Sequence, residues 1–90
     1  MKKFEFEFSD KFYGYVNELP LNVKKRLKKV MTLLSSDPKH PSLRMEKLGG
    51  TGGIYSVRVT KGYRLTFEFR EGGVIFLRVV GKHDDVYRKP

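Results

Sequence analysis

The chain has no cysteine and no apolar run approaching the roughly 20 residues needed to cross a bilayer. The first absence excludes disulfides and thiolate metal sites, and nothing points to an oxidising compartment. The N-terminal MKKFEFEFSD alternates charge with Phe instead of forming a signal core. A soluble cytoplasmic protein with no membrane partner is the expectation. Acidic residues are scarce: ten Asp and Glu stand against nineteen Lys and Arg, a formal net charge of +9. On so small a chain such a field attracts nucleic acid or another polyanion.

Ninety residues leave room for one domain, spanning 1–90. A chain of this size buries only about 60–65% of its unfolded surface, so most apolar positions must serve the fold. Phe4-Glu5-Phe6-Glu7-Phe8 alternates with period two and reads as a strand with Phe inward. Ser9-Asp10 is a helix N-cap signal, and Phe12, Tyr15, Val16 and Leu19 follow at helical spacing until Pro20. Val23, Leu27, Val30, Met31 and Leu34 form the apolar stripe of a second helix. Its other face carries Lys24, Lys25, Arg26, Lys28 and Lys29, and Ser35-Ser36-Asp37-Pro38 stops it. The stretch from Pro38 to Gly53 reads as loop. Three strands follow, Ile54–Thr60, Tyr63–Arg70 and Val74–Val80. The expected fold is therefore α+β: two N-terminal helices on a mainly antiparallel four-stranded sheet, in the order β-α-α-β-β-β.

Strand register sharpens this reading. A two-residue Lys61-Gly62 loop mixes polar and apolar faces. A three-residue loop, Thr60-Lys61-Gly62 with Gly62 left-handed, repairs the pattern. Val57 then faces Leu65, Tyr55 faces Phe67, and Arg58 lies opposite Arg64. A three-residue Glu71-Gly72-Gly73 loop pairs Phe69 with Ile75, Phe67 with Leu77 and Leu65 with Val79. On the other face it sets Thr66 against Arg78 and Arg64 against Val80. One sheet face thus carries Arg58, Arg64 and Arg78, and Lys82 and His83 leave the last strand at the Arg64 end.

Like charges directly opposite one another destabilise a sheet. Either Glu5, Glu7 or Glu68 neutralises Arg58 and Arg64, or the pair is an anion cradle, since guanidinium forks match phosphate geometry. Histidine as a residue type titrates near neutral pH, so His83 is either a general acid or base or an ordinary turn residue beside Gly81. His40, between Pro38 and Pro41, reads as a loop residue. The lysine face (Lys24, Lys25, Lys28, Lys29) is a solvated surface or a source of phosphate contacts. Tyr87 either packs on the sheet or stacks on an exposed base. His83 and Asp84 are too few ligands for a metal, so neither metal nor cofactor is expected. Gly49-Gly50-Thr51-Gly52-Gly53 lacks the Lys-Ser/Thr of a P-loop.

In order, His40-Pro41-Ser42-Leu43-Arg44-Met45-Glu46-Lys47-Leu48, Tyr55-Ser56-Val57-Arg58-Val59, Tyr63-Arg64-Leu65-Thr66-Phe67 and Gly81-Lys82-His83-Asp84-Asp85-Val86-Tyr87 resemble the RelE/ParE superfamily of toxins. The resemblance covers nearly the whole chain, and the Gly-x-His-Asp ending is more similar to the YafQ-like branch than to RelE. It implies a toxin of a type II toxin–antitoxin system: a ribosome-dependent mRNA endonuclease that cleaves by 2′-hydroxyl attack without metal and is neutralised by a cognate antitoxin. Ribosome and mRNA are then the other partners. On this resemblance Arg58 and Arg64 hold the scissile phosphate, His83 is acid or base, and Tyr87 stacks on or orients a base. Glu46, Lys47, Lys82 and Asp84 are auxiliary candidates, and Lys24, Lys25, Lys28, Lys29 and Arg78 RNA contacts. The resemblance also admits a ParE-like, non-enzymatic inhibitor of DNA gyrase, or a catalytically degenerate member that keeps only antitoxin binding.

Overall fold

The computed structural model describes residues 3–90. Its elements run β1 (Glu5–Phe8), α1 (Phe12–Asn17), α2 (Leu21–Ser36), a single 3-10 turn (Pro41–Leu43), β2 (Glu46–Lys47), β3 (Ile54–Thr60), β4 (Tyr63–Arg70), β5 (Val74–Lys82) and α3 (His83–Arg88). The strands form one sheet in the order β1-β5-β4-β3-β2. Only the β1–β5 pair is parallel; the others are antiparallel. The α+β expectation holds, with two additions. The segment read as loop supplies a two-residue edge strand, β2, making five strands, and the C-terminal tail coils into α3. Both are too short for hydrophobic periodicity to reveal.

The helical layer forms as its sequence dictates. The α2 stripe Val23, Leu27, Val30 and Leu34 is buried, with its lysines turned outward. Pro20 sits at its N-cap, where no helical N–H is needed, and Asp37 before Pro38 leaves helical dihedrals. These side chains meet Val57, Val59, Leu65, Phe67, Ile75, Leu77 and Val80 from the sheet in one core. Each fully buried Leu or Val contributes on the order of 1.5–3 kcal/mol. Phe12 of α1 joins them, but Ser9-Asp10 does not cap that helix: the N-cap is Lys11. Ser9 instead donates its hydroxyl to the Arg78 carbonyl at 2.7 Å, tying the end of β1 to β5.

Register is where the sequence reading succeeds and then slips. In the first hairpin Tyr55 pairs with Phe67, Val57 with Leu65 and Arg58 with Arg64, as expected. The device differs. Thr60 pairs with Tyr63 across a two-residue Lys61-Gly62 turn, and an irregularity between Arg58 and Thr60 corrects the phase. Gly62 is not left-handed, unlike Gly72 and Gly73 of the second turn, at φ 80° and 73°. In the second hairpin Phe69 pairs with Ile75 and Phe67 with Leu77, and then a bulge intervenes. Arg78 is the extra residue, so Thr66 pairs with Val79, Leu65 with Val80 and Arg64 with Gly81. The expected Thr66–Arg78, Leu65–Val79 and Arg64–Val80 pairs are therefore each displaced by one. The bulge sends Val80 into the core, 2% exposed, and brings Gly81 level with Arg64.

Candidate functional site

Strand alternation gives the sheet face away from the core two adjacent rows. One is Glu46, Ser56, Thr66 and Val79; the other is Arg58, Arg64 and Gly81. Ser56 and Thr66 are buried although they belong to no apolar core, because α3 and the chain end cover them. The Thr66 hydroxyl accepts from the Val79 N–H at 3.2 Å and donates to the Pro90 carbonyl at 3.0 Å. α3 starts where β5 ends, anchored by the His83 N–H on the Gly62 carbonyl at 2.9 Å. Its Val86 is 1% exposed, and a Cβ placed on Gly81 would meet Val86 Cγ2 at 3.5 Å. A glycine opposite Arg64 thus leaves room for the helix to lie down.

That docking assembles a polar constellation. The His83 and Tyr87 rings stack, centroids 4.3 Å apart and 23° from parallel, as residues four apart on one helix face can. The Tyr87 hydroxyl donates to Glu46 Oε1 at 3.1 Å and lies 3.1 Å from Ser56 Oγ. Asp84, almost fully exposed, reaches His83 Nδ1 at 3.2 Å. The stack, a carboxylate and two buried hydroxyl-bearing residues therefore sit beside the arginine row.

The arginines are not neutralised by the carboxylates considered from sequence. Glu68 is engaged by Arg78 and, at 3.9 Å, by Arg70; Glu7 also faces Arg70 at 3.9 Å. Among the described residues neither Arg58 nor Arg64 has an ion-pair partner. Arg64 does have structural duty: its Nη1 donates to the Thr60 and Tyr63 carbonyls at 2.9 and 3.0 Å, bracing the β3–β4 turn. The Arg58 guanidinium makes no hydrogen bond among the described residues and borders a cavity of about 340 Å³ at the β3 edge. Two cations on paired strand positions, neither with an ion-pair partner among the described residues, give this face a pull on phosphate.

Other sequence candidates lie elsewhere. Lys47 alternates to the face opposite Glu46 and lines a cavity with Lys39, His40 and Tyr55. Lys82 falls on the Val80 side, in a cavity with Tyr15 and Glu18 of α1. Arg78 is committed to Glu68 and, through Nε at 3.1 Å, to the Pro90 carbonyl. Lys24 and Lys28 rim an apolar groove on the helical side, while Lys25 and Lys29 are exposed. His40 is a turn residue whose Nδ1 accepts from the Ser42 N–H at 3.1 Å. Ser56 escaped the sequence reading, although alternation with Arg58 placed it on the site face. No group of three or more potential metal-ligating side chains occurs among the described residues.

No family model and no curated protein matches the chain. Solved structures do. Escherichia coli YafQ superposes with a TM-score of 0.76 at 19% identity, covering 93% of this chain and 98% of that one. A double mutant of the E. coli toxin RelE in its free state gives 0.71 at 25% identity, over 98% and 92%. The archaeal RelE–RelB complex of Pyrococcus horikoshii gives 0.73 at 19%, over 89% and 94%. The chain has the fold of the RelE- and YafQ-type toxins.

Proposed function

We propose that this protein is the toxin of a toxin–antitoxin system and acts as a ribosome-dependent endoribonuclease on mRNA. The observation that carries the reading is the un-neutralised Arg58/Arg64 pair beside the His83–Tyr87–Glu46 chain. The RelE and YafQ structures, several solved as complexes with antitoxins, support the toxin role through their fold.

In the proposed reaction Glu46 accepts the proton of the RNA 2′-hydroxyl, and the 2′-oxygen forms a bond to the adjacent phosphorus. The bond from phosphorus to the 5′-oxygen breaks, and His83 protonates that leaving oxygen. The products are a cyclic 2′,3′-phosphate and a 5′-hydroxyl. Base and acid must approach phosphorus from opposite sides for an in-line displacement. Tyr87 separates the two by its own length, its ring on His83 and its hydroxyl on Glu46. Arg58 and Arg64 stabilise the charge that develops on the phosphoryl oxygens, the role for which preorganised donors are most effective. A cognate antitoxin occupies the groove of about 520 Å³ floored by Phe6, Phe12, Leu27 and Met31. Lys3, Lys24 and Lys28 on its rim suit an acidic amphipathic segment.

The test is a reconstituted translation reaction with mRNA ends mapped by primer extension, run beside a gyrase supercoiling assay. The parent is expected to cut mRNA on ribosomes and leave supercoiling untouched. His83→Gln should cut about 10²–10⁴-fold more slowly, as for loss of a general acid. Intact mRNA with inhibited supercoiling would replace this reading with the gyrase-inhibitor one.

A further inference from the structure

Arg58 belongs to a second cluster besides the arginine row. At the edge of β3, the cavity of about 340 Å³ is lined by Arg26 of α2, Ser42 and Arg44 of the 3-10 turn, and Arg58, Thr60 and Lys61 of the first hairpin. Four cations and no carboxylate line it. None of the four has an ion-pair partner among the described residues.

The fold builds this pocket. β2 pairs with β3 only at Ser56 and Tyr55, so the β3 edge beyond Ser56 has no neighbouring strand. Arg26 covers part of that edge, donating Nε to the Val59 carbonyl at 3.3 Å, which fixes the guanidinium over the opening. Arg44 arrives through a left-handed backbone, φ 48° and ψ 51°, at the C-cap of the 3-10 turn. It is the one non-glycine among the described residues with positive φ. Four like charges around one opening repel one another. An anion would relieve the repulsion.

We infer that this pocket is a second phosphate site, which holds a phosphate of the same RNA strand next to the scissile one. The inference rests on the endonuclease reading and deepens it. Arg58 lines the pocket and also faces Arg64 in the proposed catalytic row, so the two are continuous. A phosphodiester chain lying on the arginine row meets the pocket as it leaves the sheet edge. Three guanidiniums offer the bidentate geometry that phosphate takes, and Ser42 and Thr60 add hydroxyls. Two phosphates gripped on either side of Arg58 would fix the strand's direction across the site and so set which bond is cut.

The test measures binding of a 2′-O-methyl RNA oligonucleotide, which lacks the attacking hydroxyl, across a salt series. Each phosphate contact on a single strand contributes about 0.7 to the slope of log K against log salt. The variant is Arg44→Asn with Lys61→Gln; asparagine tolerates the left-handed backbone, and thermal unfolding checks that the fold persists. The slope should fall by about 0.7. The charge-matched Lys11→Gln with Lys89→Gln, both exposed, should leave it unchanged. An unchanged slope in the pocket variant, or an equal fall in the charge-matched one, overturns the inference. So does loss of polyglutamate binding with RNA binding intact, which assigns the pocket to an acidic peptide. A parent with no salt-dependent RNA binding overturns the pocket, while the endonuclease reading stands or falls on mRNA cleavage by programmed ribosomes. A pocket-dependent slope in a protein that does not cut mRNA overturns the latter alone.

Discussion

Arg64 carries a structural and a chemical duty on different atoms, and Arg64→Lys separates them. Nη1 braces the Thr60 and Tyr63 carbonyls, whereas Nε and Nη2 have no partner among the described residues and remain for an anion. A lysine ammonium can still donate to a turn carbonyl, but as a single point of charge it cannot also fork around a phosphoryl group. Stability should therefore change little, within about 1 kcal/mol, since one carbonyl at a half-exposed turn remains served. Arg64→Ala removes these braces, with a third from Nη1 to the Lys61 carbonyl at 3.3 Å, and should cost about 1–2 kcal/mol. For a domain this size that lowers the thermal midpoint by roughly 4–8 °C per kcal/mol.

The rate should behave differently. Losing one preorganised donor to a developing oxyanion typically costs 10²–10³-fold, about 2.7–4 kcal/mol of transition-state stabilisation. Both variants should therefore fall to similar cleavage rates although only the alanine variant loses stability. Single-turnover cleavage on programmed ribosomes, paired with thermal unfolding of the same preparations, provides the two readouts. If Arg64→Lys cuts within about threefold of the parent (under 1 kcal/mol), the arginine is only a turn brace and the cradle argument fails.

Two further substitutions probe how α3 delivers its side chains. Tyr87→Phe retains the stack on His83 but deletes the hydroxyl shared with Glu46 and Ser56. It should cost about 0.5–1.5 kcal/mol in chemical denaturation and slow single-turnover cleavage about tenfold, because Glu46 loses its anchor; an unchanged rate would show that Glu46 needs none. At Gly81, alanine should be tolerated, since its Cβ would make ordinary contact with Val86. Leucine should instead lift α3 and lose cleavage, with faster amide hydrogen exchange confined to α3; equal activity for the two would mean that helix docking does not position His83.

Much of this site could be read in the sequence because alternation is local. Phe4 to Phe8, the α2 stripe and the three long strands each carry their own period, and the Arg58–Arg64 pairing followed from keeping apolar residues on one face. What escaped reading was set by tertiary context. β2 is two residues long and exists only because Glu46 and Lys47 find Ser56 and Tyr55 beside them. α3 is too short to be stable alone and depends on Val86 meeting Gly81. The bulge at Arg78 had no local sign, because apolar residues already run together from Val74 to Leu77 in the same strand.

That bulge explains why the core and the candidate site share one strand. Without it, Val80 would oppose Arg64 on the polar face, and its side chain would occupy the space that Gly81 leaves for Val86. α3 would then have no seat, and Tyr87 would not reach Glu46 across Ser56. The same extra residue leaves Arg78 outside the ladder, where it pairs with Glu68. One inserted residue thus buries Val80 and seats α3 beside the arginine row. The seating of α3 is a consequence of register, and any change that closes the bulge should disarm the site even with every candidate side chain still present.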